Sequence, residues 1–174
     1  MSADRVLLVI VGVVAALLQL LLSPALTFGD ATPGFIVVAV VSIIILFPDE
    51  RHYVFAFVMG LVADLIGQSP VGATSFCLLG CSFLLPMAVE AVGNDNLLMS
   101  FLLIFAGTVG IELVFCVFLS LAGILGFIDG VAHVALPCGI YNAILGFIVY
   151  ILAFNIARSR GDRSGVTMSN VRFQ

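Results

Sequence analysis

The sequence predicts an all-α protein that crosses a membrane with six helices packed in a compact bundle. Three observations carry this prediction: the apolar composition, the division of the chain into apolar segments, and the placement of the Arg residues. Of the 174 residues, 63% are hydrophobic and 9% are charged, and the mean hydropathy is +1.31. A soluble domain of this size could not cover so much apolar surface with so few polar side chains. The bilayer is therefore the solvent for most of the chain.

Short polar joints separate six apolar segments. A spanning helix needs roughly 20 apolar residues to cross a hydrocarbon core of about 30 Å. The first, fourth, fifth and sixth segments meet this length with little or no help. The second and third are short and need flanking residues, local thinning of the bilayer or burial among neighbours. The predicted spans are residues 6–22, 35–47, 53–66, 71–89, 97–122 and 131–154, within one transmembrane domain of residues 1–157.

Two joints decide how the segments are counted. Residues 48–52 carry three formal charges that cannot lie at the bilayer midplane, so the second and third segments are two short spans rather than one long span. Ser23-Pro24-Ala25 could pass for a signal-peptide cleavage site. Because the run before it is long for a signal peptide and Asp4 balances Arg5, we expect the first segment to be retained as a span.

The cations predict the orientation. With the N-terminus in the cytoplasm, six spans place every Arg on the cytoplasmic side, and the chain has no Lys. The opposite joints, residues 23–34, 67–70 and 123–130, contain no Arg, which is the positive-inside pattern. Both termini are then cytoplasmic, and residues 158–174 form a basic tail that we expect to be disordered. The six Arg are Arg5, Arg51, Arg158, Arg160, Arg163 and Arg172.

Small and weakly polar residues recur at every fourth position within the segments, which places them on one face of each helix. Small residues let membrane helices approach closely, and polar residues bond across helices. These seams predict a bundle with its polar groups turned inward or toward a partner helix. The candidates for partner binding or helix packing are Gly60, Asp64, Gly67, Gly72, Asn142 and Gly146, and the buried polar candidates are Gln19, Glu112 and Tyr150.

Two acids lie inside the predicted spans, where an ionised acid at the bilayer centre costs roughly 2.5–3.5 kcal/mol on insertion scales. Glu112, near the middle of the fifth span, is either a proton or ligand site or a protonated acid that bonds another helix. Asp64, near the outer end of the third span, is either a cap that anchors a loop or a contact for a partner. Candidate hydrogen-bond partners for the acids are Gln19, Thr108, Asn142 and Tyr150.

The sequence carries no signature of an enzyme. His-Glu-x-x-His, Gly-x-Ser-x-Gly and Gly-x-x-x-x-Gly-Lys patterns are all missing. His52 and His133 lie at span boundaries, where an interfacial role is commoner than a metal site, and the four Cys are interpreted as packing residues. The net charge of -4 does not indicate nucleic-acid binding. We therefore expect no catalytic residue, no metal and no cofactor.

Short motifs follow one another in a distinctive order along the middle of the chain. Thr32-Pro33-Gly34 precedes the second span, Gly60-x-x-x-Asp64 lies in the third, and Ser69-Pro70-Val71-Gly72 precedes the fourth. Leu136-Pro137 and then Tyr141-Asn142 occur in the last span. In order and spacing, this set resembles the MreD family of bacterial rod shape-determining membrane proteins.

The resemblance implies a non-enzymatic scaffold subunit in the cytoplasmic (inner) membrane, within the elongation complex that builds the lateral peptidoglycan wall. It implies an MreC-like partner, which is a single-span and mostly periplasmic protein. MreB filaments, a penicillin-binding transpeptidase and a polytopic glycosyltransferase would complete the assembly, and self-association into a homo-oligomer is left open. The family's fold is similar to that of the six-helix substrate-binding subunits of energy-coupling-factor vitamin transporters.

Partner recognition would then take place between helices. Seams around Gly60 and Gly146 would admit a partner's spanning helix, and Asp64 and Asn142 would fix its register. The alternative function is that of the substrate-binding subunit of an energy-coupling-factor vitamin importer. A proton-linked carrier centred on one acid is a third class. The residues that would line the importer's pocket are Gln19, Glu112 and Asn142.

Overall fold

Seven helices account for most of the computed structural model, which describes residues 3–26, 32–47, 52–67, 72–92, 97–124 and 126–164. A 3₁₀ turn at Pro24–Leu26 follows the first helix, and a π-helical turn at Val131–Ala135 joins the sixth to the seventh without a break. These ranges contain no strand and form six helical rods, so the all-α prediction is confirmed. The helices are α1 (Ala3–Leu21), α2 (Phe35–Leu46), α3 (Tyr53–Ile66), α4 (Ala73–Val92), α5 (Leu97–Leu121), α6 (Phe127–Gly130) and α7 (Leu136–Ser164).

The rods differ in length. By length and apolar composition, α4, α5 and the continuous helix Phe127–Leu152 can each cross a membrane. The apolar part of α1 is Leu8–Leu21, while α2 has 12 residues and α3 has 14. At 1.5 Å per residue, α2 and α3 are about 18 and 21 Å long, which is less than the roughly 30 Å of a hydrocarbon core. The second and third segments are therefore short, as the sequence predicts.

The short helix α2 lies at the centre of the bundle. It contacts α1, α3, α4, α5 and α7, and all of its residues between Ile36 and Ile45 are buried. A helix that is apolar on every side needs such a position, because it has no polar face to turn outward. Burial among neighbours is one of the three ways in which a short span was expected to be accommodated, and it is the one that α2 uses.

Hydrogen bonds along α7 show the direction in which the helices run. Gly34 bonds Asn142 and, further along both helices, Ser42 bonds Gly146, so α2 and α7 run parallel. Asn142 also bonds Glu112, while Tyr150, later in α7, bonds Ser100, earlier in α5, so α5 runs against α7. One end of the bundle therefore collects the ends of α1, α3 and α5 and the starts of α2, α4 and α6. We call it the Gly34 end.

The pair α3 and α4 forms a tight antiparallel hairpin. A Cβ added to Gly60 would lie 2.8 Å from the backbone N of Ser75 and closer still to its Cα, so only glycine allows this approach. Gly72, at the start of α4, has φ +99°, a conformation that L side chains rarely adopt. Away from this turn, the rings of Tyr53 and Phe83 stack with centroids 4.2 Å apart.

The C-terminal boundary differs from the prediction. The last helix extends to Ser164, so residues 158–164, which we expected to be disordered, are helical. Arg has a high helix propensity, and cations near a helix C-terminus interact favourably with its dipole. The sequence places three Arg in this stretch, which favours continuation of the helix. Residues 165–174 of the predicted tail lie outside the described residues. So do residue 71 of the predicted fourth span and parts of the predicted joints, namely residues 27–31, 48–51, 68–70, 93–96 and 125.

The α3–α4 contact predicts a sharp difference between two glycine substitutions. Gly60→Ala should destabilise the protein by about 1–3 kcal/mol, because the added methyl group meets the backbone of α4, which cannot rotate away. Gly80→Ala is the matched control, since a Cβ at Gly80 meets nothing within 4 Å. Thermal unfolding in detergent should show a lower midpoint for Gly60→Ala alone. Equal midpoints for the two variants would contradict the close approach.

Candidate functional site

The carboxylate of Asp64 caps the start of α4. It accepts hydrogen bonds from the backbone N–H groups of Gly72 at 2.9 Å, Thr74 at 3.0 Å and Ser75 at 3.2 Å. The hydroxyl of Ser75 donates a further bond at 3.0 Å, and Asp64 is 2% exposed. The first N–H groups of a helix have no partner within the helix, and an acidic oxygen satisfies them with charge-assisted bonds. A side chain on α3 thereby fixes the N-terminus of α4.

Gly60, Asp64 and Gly72 act together in this turn. Gly60 lets α4 approach α3, Asp64 bonds the exposed N–H groups of α4, and Gly72 allows the backbone to reach the carboxylate. Gly67 ends α3 in an extended conformation and donates its N–H to the carbonyl of Ala63 at 2.8 Å. Contact between these positions and a partner's helix stays a prediction.

A second set of hydrogen bonds connects α2, α5 and α7 through the side chain of Asn142. The backbone N–H of Gly34 donates to Asn142 Oδ1 at 2.7 Å, and Asn142 Nδ2 donates to Glu112 Oε1 at 2.9 Å. Asn142 is fully buried. Its amide therefore satisfies the start of α2 and at the same time holds one oxygen of Glu112.

Gln19 joins the end of α1 to the start of α2. Its Nε2 donates to Ser23 Oγ at 3.2 Å, and its Oε1 accepts from the backbone N–H of Ile36 at 3.4 Å. Ser23 in turn donates to the carbonyl of Pro33 at 2.9 Å. Polar side chains on two different helices, Gln19 and Asn142, thus bond N–H groups at the start of the central helix.

Gly146 and Tyr150 lie further along α7, away from Glu112. A Cβ added to Gly146 would lie 2.8 Å from Ile104 Cγ2, and the carbonyl of Gly146 accepts from Ser42 at 3.3 Å. Tyr150 Oη accepts from the hydroxyl of Ser100 at 3.1 Å. Both residues therefore join α7 to its neighbours within the chain.

Of the four residues considered as partners for the acids, Asn142 binds Glu112. Thr108 bonds back to the carbonyl of Ile104 at 2.8 Å, and Gln19 and Tyr150 bond the groups given above. Contact of Gln19, Thr108 or Tyr150 with Asp64 stays a prediction. A short hydroxyl side chain on a helix can reach its own preceding turn, and Thr108 makes such a local bond as well as a longer one to the carbonyl of Gly139 at 3.4 Å.

A cavity of about 360 Å³ lies at the Gly34 end, between the hydrogen bonds made by Asp64 and those made by Asn142. Both polar and apolar residues line it, from six helices and from the joints between them. Its polar lining side chains are Gln19, Thr32, Thr74, Glu112 and Cys138. Its larger apolar lining residues are Ile36, Val37, Ile111, Phe115, Leu119 and Val134.

The sequence did not predict that Ser75 and the backbone N–H groups of Gly34 and Gly72 take part in these hydrogen bonds. A signal for Ser75 was present, because Thr74-Ser75 stands at the start of an apolar run, where hydroxyl residues bond helix N-termini. His52 is 5% exposed at the start of α3, whereas His133 is exposed in the π turn. Among the described residues, no group of three or more His, Cys, Asp or Glu could hold a metal ion.

The fold and its inward polar contacts define a class, that of α-helical integral membrane proteins whose few polar side chains bond helix to helix. The chain belongs to the MreD family, since the family model for "rod shape-determining protein MreD" matches residues 3–160. The resemblance drawn from the sequence motifs is thus confirmed over nearly the whole chain. No curated protein and no solved structure matches the chain. The likeness of its fold to energy-coupling-factor subunits stays a prediction.

The cap on α4 predicts a loss of stability when Asp64 is removed. Asp64→Ala should lower the free energy of unfolding by about 1–3 kcal/mol, because buried N–H groups lose their acceptor. Ser75→Ala is the control, since it removes one hydroxyl donor and leaves the carboxylate on the backbone, for a loss of about 1 kcal/mol. Hydrogen exchange should accelerate at Gly72 and Thr74 in Asp64→Ala alone. Unchanged exchange there would contradict the cap.

Proposed function

We propose that this protein is a non-enzymatic scaffold subunit of the bacterial cell-elongation complex in the cytoplasmic (inner) membrane. The match to the MreD family over residues 3–160 carries the proposal. Within the complex it would bind an MreC-like, single-span and mostly periplasmic partner. Together they would support lateral peptidoglycan synthesis with MreB filaments, a penicillin-binding transpeptidase and a polytopic glycosyltransferase.

Internal packing supports a scaffold that is rigid at the Gly34 end. The hydrogen bonds of Asp64 and Asn142 and the close approach of α4 to Gly60 hold five helices in place. These helices are α2, α3, α4, α5 and α7. A partner helix could reach Gly60 or Gly146 only if α4 or α5 moved away, because these helices fill the space beside each glycine. We therefore place the partner contact on the outward apolar surface of the folded bundle rather than in the two seams.

The alternative, the substrate-binding subunit of an energy-coupling-factor vitamin importer, has no support from the family match. The two functions predict different assemblies in the membrane. An elongation scaffold is recovered with cell-wall enzymes, whereas an importer subunit is recovered with a coupling membrane protein and paired ATPases.

Affinity purification distinguishes the assemblies. The tagged protein, extracted from native membranes in mild detergent, should enrich a single-span periplasmic protein and cell-wall synthases by mass spectrometry. The control is the same tag on an unrelated polytopic protein of that membrane. Enrichment of paired ATPases with a coupling subunit would overturn the scaffold proposal.

The proposed orientation has an independent test. Because Arg51 lies in the second joint and the other five Arg lie near the termini, both termini should be cytoplasmic and the Gly34 end periplasmic. Fusion of a fluorescent protein after Gln174 should fluoresce, and alkaline phosphatase fused after Gly123 should be active. Active phosphatase at the C-terminus would show that the assigned topology is inverted.

A further inference from the structure

The cavity at the Gly34 end has the size and lining of a binding site for a small molecule. Its volume of about 360 Å³ lies within the range of ligand pockets, roughly 300–1,000 Å³. Apolar side chains form most of its wall, and a few polar groups converge on it, which is the usual make-up of a ligand site.

Glu112 presents a carboxyl group at the wall of this cavity. Its Oε1 accepts from Asn142 Nδ2 at 2.9 Å, and its other oxygen has no hydrogen-bond partner among the described residues. Asn142 cannot turn away, because its own oxygen is bonded by the N–H of Gly34 at 2.7 Å. The carboxyl group is therefore fixed in position with one oxygen available to a ligand.

No positive side chain of the described chain stands near this carboxyl group. The described stretches that form the Gly34 end contain no Arg, and the protein has no Lys. Asp64 bonds the start of α4, and Asp129 lies exposed on α6. A carboxyl group that is ionised beside a bound cation attracts it more strongly between apolar walls than in water, so this site favours a positively charged ligand.

The π turn is a second feature of this wall. Val131–Ala135 adopts π-helical geometry between α6 and α7, and Val134 of this turn lines the cavity. Such turns are rare and often occur at functional sites, where they place side chains that a regular helix would direct elsewhere. The turn thus lies where a ligand would contact α7.

We propose that this cavity binds a small organic cation. Its ammonium or guanidinium group would contact the available oxygen of Glu112, and its apolar body would pack against Ile36, Ile111 and Phe115. The site is distinct from the outward surface that we assign to the protein partner. Binding of the cation here would not require its transport across the membrane.

Benzylammonium is a suitable probe, with benzyl alcohol as its uncharged counterpart of similar shape. The full-length protein would be placed in phosphatidylcholine nanodiscs, and binding of each compound would be measured by equilibrium dialysis against empty nanodiscs. We expect benzylammonium to bind at least tenfold more tightly than benzyl alcohol. Equal binding of the two compounds, or no binding of either, would overturn the proposal.

Glu112→Gln separates charge from structure. Glutamine keeps the oxygen that accepts from Asn142 and nearly the same volume, so the bundle should unfold at a similar temperature. We expect this variant to lose the preference for benzylammonium, while the control Asp129→Asn, which changes an exposed acid at the same end, keeps it. A preference that persists in Glu112→Gln would show that another group attracts the cation.

The same variants separate this site from a contact with the protein partner. If Glu112→Gln failed to recover the partner in affinity purification while wild-type protein bound no benzylammonium, the carboxyl group would serve a basic side chain of the partner, and the small-molecule proposal would fail. If the wild-type protein recovered no elongation partner yet bound benzylammonium through Glu112, the scaffold proposal alone would fail.

Discussion

Burial of α2 on every side is the constraint on which the rest of this structure depends. A helix that is surrounded by other helices cannot expose its first N–H groups to water, and an unpaired N–H in an apolar interior is costly. The chain provides Gln19 on α1 and Asn142 on α7 for this purpose. Polar residues that are expensive within a membrane are thus concentrated where the central helix begins.

The α3–α4 hairpin solves the same problem with a carboxylate. Asp64 bonds the first N–H groups of α4, and this bonding depends on the close approach that Gly60 permits. Because α2 and α4 both begin at the Gly34 end, the two solutions lie on either side of one cavity. Most polar groups at that cavity are therefore there because they bond helix N-termini. Glu112 differs, because Asn142 bonds only one of its two oxygens.

Much of the architecture could be predicted from the sequence, because apolar runs and charged joints directly reflect the bilayer. The third segment was predicted with the same bounds as α3, and the short second segment corresponds to α2 to within one residue. The last span was predicted to start at Val131, four residues after Phe127, because residues 123–130 were interpreted as a joint between spans. Periodicity placed Gly60 and Asp64 on one face but could not show which helix would cover that face. The pairing of Asn142 with Gly34 joins residues 108 positions apart, and no local pattern encodes a contact of that range.

The distance along the chain between Gly34 and Asn142 has a consequence for biogenesis. During synthesis α2 leaves the ribosome long before α7, so the N–H of Gly34 has to wait for an acceptor that is 108 residues away. The central helix therefore cannot reach its final environment in the order in which the chain is inserted. The nascent protein must hold α2 in a provisional position, in lipid or within the insertion machinery, until α7 is released. Chains that stop before Asn142 would leave the middle of the bundle open, which makes them natural substrates for membrane quality control.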